Sequence, residues 1–425
     1  MSLIATFGGV VRIVLRSLRH HALSTCITIA SVALASGLVM AVFSISDQSY
    51  TAFTGAGRGF DAVLGARGSQ LQLVLNSVFH MDVSPGNIPW SMYTAIKQDT
   101  RVDLAIPYAV GDNYRGYRIV GTTMELFERY EPAKGEHLRL SAGRWFDPER
   151  KQAVIGSQVA QRTGLRLGDQ FNSYHGLIFD ETKQHPDRFE VVGILETTNG
   201  PMDRVIWIPI DCVFRMTGHE LHGAGQKYVP QEGKTIPDEH KEVSAVMIKL
   251  KTKDLPAGYT MANTINRQGT VATMAFPIAS VVAKVFDELG LIIQVLRVVA
   301  YLTVLVAAGS ILASIYNTMN ERRREFAILR AIGARRATLL SAIVLEAGTI
   351  AALGVVVGWL VYAGLLAGVG AVVYAKYGVR LMVWYPEPAL ARVPLIMIAL
   401  GALAGVVPAI KAYATDVASH LSPVS

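Results

Sequence analysis

The chain has 425 residues, of which 51% are hydrophobic and only 17% charged, with a mean hydropathy of +0.34. These values exclude an ordinary soluble protein and point to one that lives in a bilayer. The formal charge of +7 and the pI of about 9.3 raise the question of nucleic acid, but the arginines cluster at the ends of apolar stretches and no aromatic or basic binding motif accompanies them, so no nucleic-acid partner is expected.

Residues 1–22 read as an amphipathic helix. Leu3, Phe7, Val10, Val11, Val14 and Leu18 fill an arc of roughly 100°, and Arg12, Arg16 and Arg19 a separate arc of roughly 60°. Such a helix lies on the cytoplasmic face of the membrane, or packs on protein with the same pattern. Residues 23–46 follow as a first span, since Leu23 to Ile45 carries no charge and suffices to cross as a helix of about 20 residues. Ser44 and Ser46 lie at a cleavage-like spacing, but the apolar stretch exceeds the core of about 7 to 15 residues in a signal peptide, so it reads as an anchor.

Between 47 and 285 the character changes. Short alternating runs such as "RFEVVGILE" and "RVIWIPI" sit between Gly and Pro punctuation, which predicts a large water-exposed domain of mixed α and β structure. Within it, "HELHGAGQKYVPQEGKTIPDEHKE" brings His219, His222 and His240 near Glu220, Asp238, Glu239 and Glu242. Zinc takes neutral imidazoles, so these three histidines are the candidate metal ligands; the alternative is an ordinary solvated loop. His-Glu-Leu-His is one residue short of the protease spacing, which argues against hydrolysis. Gly233-Lys234-Thr235 resembles a Walker fragment, but Tyr228 stands where its first Gly belongs and Pro237 follows where the phosphate-binding helix should begin. Ser157 and Cys212 lack a recognisable base spacing or elbow, so no catalytic residue is expected in this chain. Cys26 and Cys212, the two cysteines, exclude a disulfide framework.

Three more apolar stretches give a stalk and second span at 286–319, a third span at 339–375 and a fourth at 393–411, with an outer loop at 376–392 and a tail at 412–425. Arg297 places the start of the second stretch above the membrane. Arg12, Arg16 and Arg19 before the first span, and the arginines between the second and third, belong on the cytoplasmic side, so both termini are expected inside and the large domain outside. Lys376, Arg380 and Arg392 form a weaker basic set outside.

The 320–338 connection, "NERRREFAILRAIGARRAT", has helical order as well as charge, with Phe326, Leu329 and Gly333 on one face and Ile328 and Ile332 on an adjoining one. With its continuation "LLSAIVLEAG" it resembles the signature of the FtsX/MacB-type permease family. The tail residues Pro408, Ala409, Ala412, Asp416 and Leu421 are similar to that family's closing pattern, and "AVIGSQVAQRTGLRLGDQF" followed by "FEVVGIL" resembles its extracytoplasmic domain.

The resemblance implies a type VII ABC transporter permease: an α-helical membrane protein with four transmembrane helices and a large α/β, MacB-like domain inserted between the first two. It implies a second copy of the chain in a homodimer and a separate cytoplasmic ABC ATPase that binds ATP and Mg, since no ATPase is fused here. Glu321, Arg322, Arg323, Arg324, Glu325, Arg330, Arg335 and Arg336 match the segment that couples to the ATPase. Ala327, Ile328 and Leu329 would pack beneath it, Gly333 would end it, and Glu346 matches an acidic position near the cytoplasmic end of the third span. The expected setting is the bacterial inner membrane, with the large domain in the periplasm and an adaptor or substrate-binding protein as a further partner. The implied function is mechanotransmission: ATP-driven movement of the outer domains that extrudes or releases a periplasmic or membrane cargo. The alternative is ATP-driven signalling to a cell-wall hydrolase. "FDAVLGARGSQLQLVLNSVFHMDVSPGNIP" and "HKEVSAVMIKLK" further resemble a permease subgroup found with metal-homeostasis genes, which implies a zinc-linked transport role.

Overall fold

The structure is a computed structural model that describes residues 3–414 except 56–58, 133–134, 177–178, 224, 232, 289, 323–324, 326–327 and 329–334. The chain divides into two units. One comprises Met1–Ser49, Leu289–Ala371 and Leu381–Ser425, and the other Tyr50–Glu288 and Val372–Arg380.

The first unit is helical. After the amphipathic helix Leu3–His20 come four helices long and apolar enough to cross a membrane: Ala22–Thr54, Gly290–Glu321, Ala337–Tyr377 and Pro388–Ile410, with mean hydropathies of 2.2 to 2.4. The first and third have 33 and 41 residues, or about 50 and 60 Å at 1.5 Å per residue, well beyond a hydrocarbon core of about 30 Å. Lipid gives apolar side chains no reason to prefer protein, so the helices associate through small residues that admit close approach. A Cβ on Gly37 would meet the Gly358 carbonyl at 2.7 Å, and one on Gly405 the Ala347 side chain at 2.6 Å.

One set of buried polar groups in this bundle is neutral and linked by hydrogen bonds. Gln48 Nε2 donates to Ser44 Oγ at 2.8 Å and to the Met382 carbonyl at 3.0 Å, Gln48 Oε1 accepts from Met382 N at 2.7 Å, and the fully buried Tyr362 hydroxyl donates to the Val383 carbonyl at 2.9 Å. This network anchors the chain after the third helix and satisfies backbone groups that no water could reach. Arg297 lies within the second membrane helix, its guanidinium 5.4 Å from the Phe43 ring centroid.

In the amphipathic helix, Val10, Val14 and Ser17 are buried against other parts of the chain while Arg12, Arg16 and Arg19 stay exposed, as the packed alternative of its pattern allows, and the buried Ser17 hydroxyl donates to the Glu346 carboxylate.

The second unit is built on a ten-stranded sheet. The strands are β1 (Ala62–Ala66), β3 (Val102–Tyr114), β4 (Tyr117–Thr122), β5 (Leu140–Gly143), β6 (Gln152–Ile155), β7 (Gln170–His175), β8 (Gln184–Leu195), β9 (Val205–Pro209), β11 (Ala245–Leu250) and β12 (Ala272–Ala275). They run in the order β12-β1-β11-β3-β4-β9-β6-β8-β5, with β7 pairing both β3 and β8. Successive side chains on a strand point to opposite faces, and here both faces are covered. Ile206, Ile208, Val246 and Ile248 enter one core, and Val205, Trp207, Ala245 and Met247 the other. The expected strands in "RFEVVGILE" and "RVIWIPI" are β8 and β9. Residues Val372–Arg380, expected as the end of a span and an outer loop, belong to this unit. At the C-terminal end of the third membrane helix, Tyr374 O accepts from Gly378 N at 3.0 Å and also from Gln158 Nε2 at 2.6 Å, and Lys376 O accepts from the Arg204 guanidinium.

Candidate functional site

Two polar constellations stand out, one in each unit. The first surrounds Glu346, ten residues into the third membrane helix, where its residue is only 7% exposed. An isolated carboxylate there would be very costly, so it requires partners. Ser17 Oγ donates to Glu346 Oε1, and Arg322 Nη1 stands 3.9 Å from Oε2. Arg322 Nε also reaches Glu325 at 2.9 Å, and His21 Nδ1 lies 3.1 Å from Glu321.

Among the residues assigned to ATPase coupling, Arg322 therefore turns inward, with 13% of its side chain exposed, and serves as an anchor of the connection. Glu321, Glu325, Ile328 and Arg335 are exposed, and Arg336 opens the third membrane helix. Arg323, Arg324, Ala327, Leu329, Arg330 and Gly333 lie outside the described residues, as do Asp416 and Leu421 of the tail pattern.

The second constellation lies in the α/β unit. A tight turn through Arg115 (φ 49°) and Gly116 (φ 83°) joins β3 to β4, and the pairing register shifts at Gly111, between Val110 and Asp112. A bulge of this kind re-aims the side chain beside it. Asp112, 4% exposed, faces His175 directly across the β3–β7 pairing, while His185 comes from the adjoining β8. His219 follows Gly218, whose φ of +91° a side chain would strain, so the turn there favours glycine. The segment is held to β8 by Thr217 N donating to Asp187 Oδ2 at 2.8 Å, and Asp187 is paired with Lys151 at 2.5 Å.

The result is three imidazoles around one carboxylate oxygen. Asp112 Oδ1 lies 3.4 Å from His175 Nδ1, 3.3 Å from His185 Nε2 and 3.5 Å from His219 Nε2, and one donor atom from each of the four residues lies within 4.8 Å of the others. Burial acts to raise the Asp112 carboxyl, but the bonds with His185 and His219 outweigh it and hold its pKa at about 2. The bond to Asp112 likewise raises His185 above its ordinary value, against the opposing effect of burial.

Of the three histidines singled out in the sequence, His219 alone joins this group. His240 instead stacks on Tyr228, with centroids 4.2 Å apart and planes at 9°, and the His222 carbonyl accepts from Gly225 N in a local turn. The expectation that the three share an ion is thus replaced by a group that draws on β3, β7 and β8. Sequence reasoning missed Asp112, His175 and His185 because they are separated by long stretches and fall in no local metal motif; the bulge and strand pairing create the cluster.

The comparisons with known proteins fit this architecture. The family model of the FtsX-like permease C-terminal domain matches residues 297–417, and that of the MacB-like periplasmic core domain matches residues 25–259, more than half of the chain by itself. An uncharacterised ABC transporter permease from Methanocaldococcus jannaschii is 26% identical over 277 residues, which is 64% of this chain and 62% of that relative, so the chain spans a little under two thirds of its length. Among solved structures, the periplasmic region of MacB from Actinobacillus actinomycetemcomitans is similar at a TM-score of 0.33 and 11% identity, over 54% of this chain and 94% of that one. The extracellular domain of the noncanonic ABC-type transporter YknZ from Gram-positive bacteria is similar at a TM-score of 0.29 and 14% identity, over 50% of this chain and 99% of that one. With the last three membrane helices under one family model, and the first membrane helix and most of the α/β domain that follows it under the other, this chain belongs to the FtsX/MacB-type family of ABC transporter permeases.

Proposed function

We propose that the chain is the membrane subunit of a transporter driven by a separate cytoplasmic ATPase, and that it works by mechanotransmission. Two copies would bind two ATPases through the 320–338 connection, and ATP-driven closure would move the long first and second membrane helices and with them the domains outside the membrane. The cargo would be a periplasmic or membrane-borne molecule extruded or released by that movement. The observation that carries this reading is the match of both family models, in the order and topology the mechanism needs.

In this reading Arg322 and Glu346 fix the connection to the bundle, and the other arginines meet acidic groups on the ATPase. By the positive-inside rule, both termini would lie in the cytoplasm and the large domain in the periplasm, outside an inner membrane. The test is copurification of the full chain with its ATPase in detergent, comparing the wild type with a variant carrying Arg323→Glu, Arg324→Glu and Arg335→Glu. Arg322 is left intact, since reversing it would set two carboxylates together beside Glu346. The variant should insert normally and lose the ATPase; full copurification with unchanged ATP turnover would refute the assignment.

A further inference from the structure

We propose that Asp112, His175, His185 and His219 form a zinc-binding site, with all four ligands supplied by this chain. The first support is the direction of the ring hydrogens. His185 Nδ1 lies 2.8 Å from the Thr217 carbonyl oxygen and His219 Nδ1 lies 3.0 Å from that of Val213. A carbonyl oxygen only accepts, so both Nδ1 atoms carry hydrogen, and in the neutral rings both Nε2 atoms are lone pairs. Facing the Asp112 carboxylate, neutral rings would set lone pair against lone pair, so either a proton on each Nε2 or a metal ion must lie between them. His219 Nε2 is buried and stands 3.5 Å from Asp112 Oδ1, long for a hydrogen bond, which leaves room for the ion. An imidazole whose far nitrogen is pinned by a backbone carbonyl is the usual arrangement behind a metal ligand.

Distance supplies the second support. Zinc bound by nitrogen and oxygen at about 2.0–2.1 Å in a tetrahedron has ligand atoms about 3.3–3.4 Å apart. The three spacings from Asp112 Oδ1 are 3.3, 3.4 and 3.5 Å, and all four donor atoms lie within 4.8 Å of one another, so the imidazoles need close in on one another by no more than about 1.5 Å to complete a tetrahedron. The rings cross at 75° to 85° and do not stack, which lets their lone pairs converge. Three imidazoles and one carboxylate suit a borderline divalent ion such as zinc.

Placement suggests what the ion does. It would fasten the turn bearing His219 to three strands, at the wall of a cavity of about 310 Å³ that His175 and His219 help to line. His175 is the exposed ligand, with 59% of its side chain accessible against 9% for His185, so exchange with the outside would occur on its side.

The experiment uses the full chain in detergent, stripped with a chelator and titrated with zinc against a chromophoric competitor, with metal content measured by mass spectrometry. One zinc per chain should bind. His185→Ala and Asp112→Asn should abolish binding, His175→Ala should weaken it by at least about tenfold, and His222→Ala and His240→Ala should leave it unchanged. Because buried variants can misfold, the exposed His175→Ala decides, with its thermal transition recorded without zinc to establish an intact fold. Cobalt in place of zinc should give the strong visible bands of a tetrahedral site in the wild type and lose them in His175→Ala. No stoichiometric zinc in the wild type, or equal affinity of wild type and His175→Ala, would overturn the proposal.

Discussion

His80 should make the chain acid-sensitive. Its ring lies between Tyr108 and Trp207, at 6.2 and 5.7 Å between centroids, and although part of the residue reaches solvent, Nδ1 is enclosed without a hydrogen-bond partner. Burial, reinforced by the Arg118 and Arg204 guanidinium groups, lowers its pKa from 6.5 to about 3. The folded state thus refuses a proton that the unfolded state accepts, so the neutral ring costs nothing above about pH 6.5 and stability is lost as pH falls from there toward about 3. Each pH unit in that window is worth about 1.4 kcal/mol, so the loss at pH 5 is up to about 2 kcal/mol. At roughly 2–4 °C per kcal/mol for a domain of this size, the transition should drop by about 4–8 °C. The control is His80→Asn, which cannot titrate and tolerates the left-handed backbone at φ 55°. Thermal unfolding of the full chain in detergent, followed by tryptophan fluorescence at pH 7 and pH 5, should show a smaller acid shift in the variant than in the wild type. Titration of the Asp112 cluster is common to both proteins and cancels in the comparison. Parallel shifts would refute the argument that His80 is held neutral.

Two further outcomes concern the helical unit. Glu346→Ala leaves Ser17 and Arg322 without their buried acceptor and should lower stability by about 1–3 kcal/mol in a thermal melt, more than Glu346→Gln, which can still accept from Ser17. The reverse ranking would mean that the Glu346 charge is a burden relieved by either change. Gly405→Val should cost about 1–3 kcal/mol by overpacking, because even a Cβ there comes within 2.6 Å of the Ala347 side chain, whereas Gly364→Val, where a Cβ meets nothing within 4 Å, should be nearly neutral in the same melt.

Most of the architecture can be read from the sequence alone. The four long apolar stretches announce four membrane helices, because hydrocarbon disfavours charge and requires helical backbone bonding over about 20 residues. The alternating runs of β8 and β9 are equally local and form strands as expected, and the family signature around Glu346 is likewise legible in the residues themselves. The tertiary structure alone decided the rest. Nothing in "RRRE" distinguishes Arg322 from its neighbours until the helices bring a buried carboxylate within 3.9 Å of it. Of His219, His222 and His240, close in sequence, only His219 is brought beside Asp112, His175 and His185, since closeness in sequence is not closeness of donor atoms. Asp112, His175, His185 and His219 meet because a bulge in β3, the pairing of β7 with β3 and β8, and a glycine turn converge at one point, and such convergence of distant segments leaves no period or spacing in a sequence.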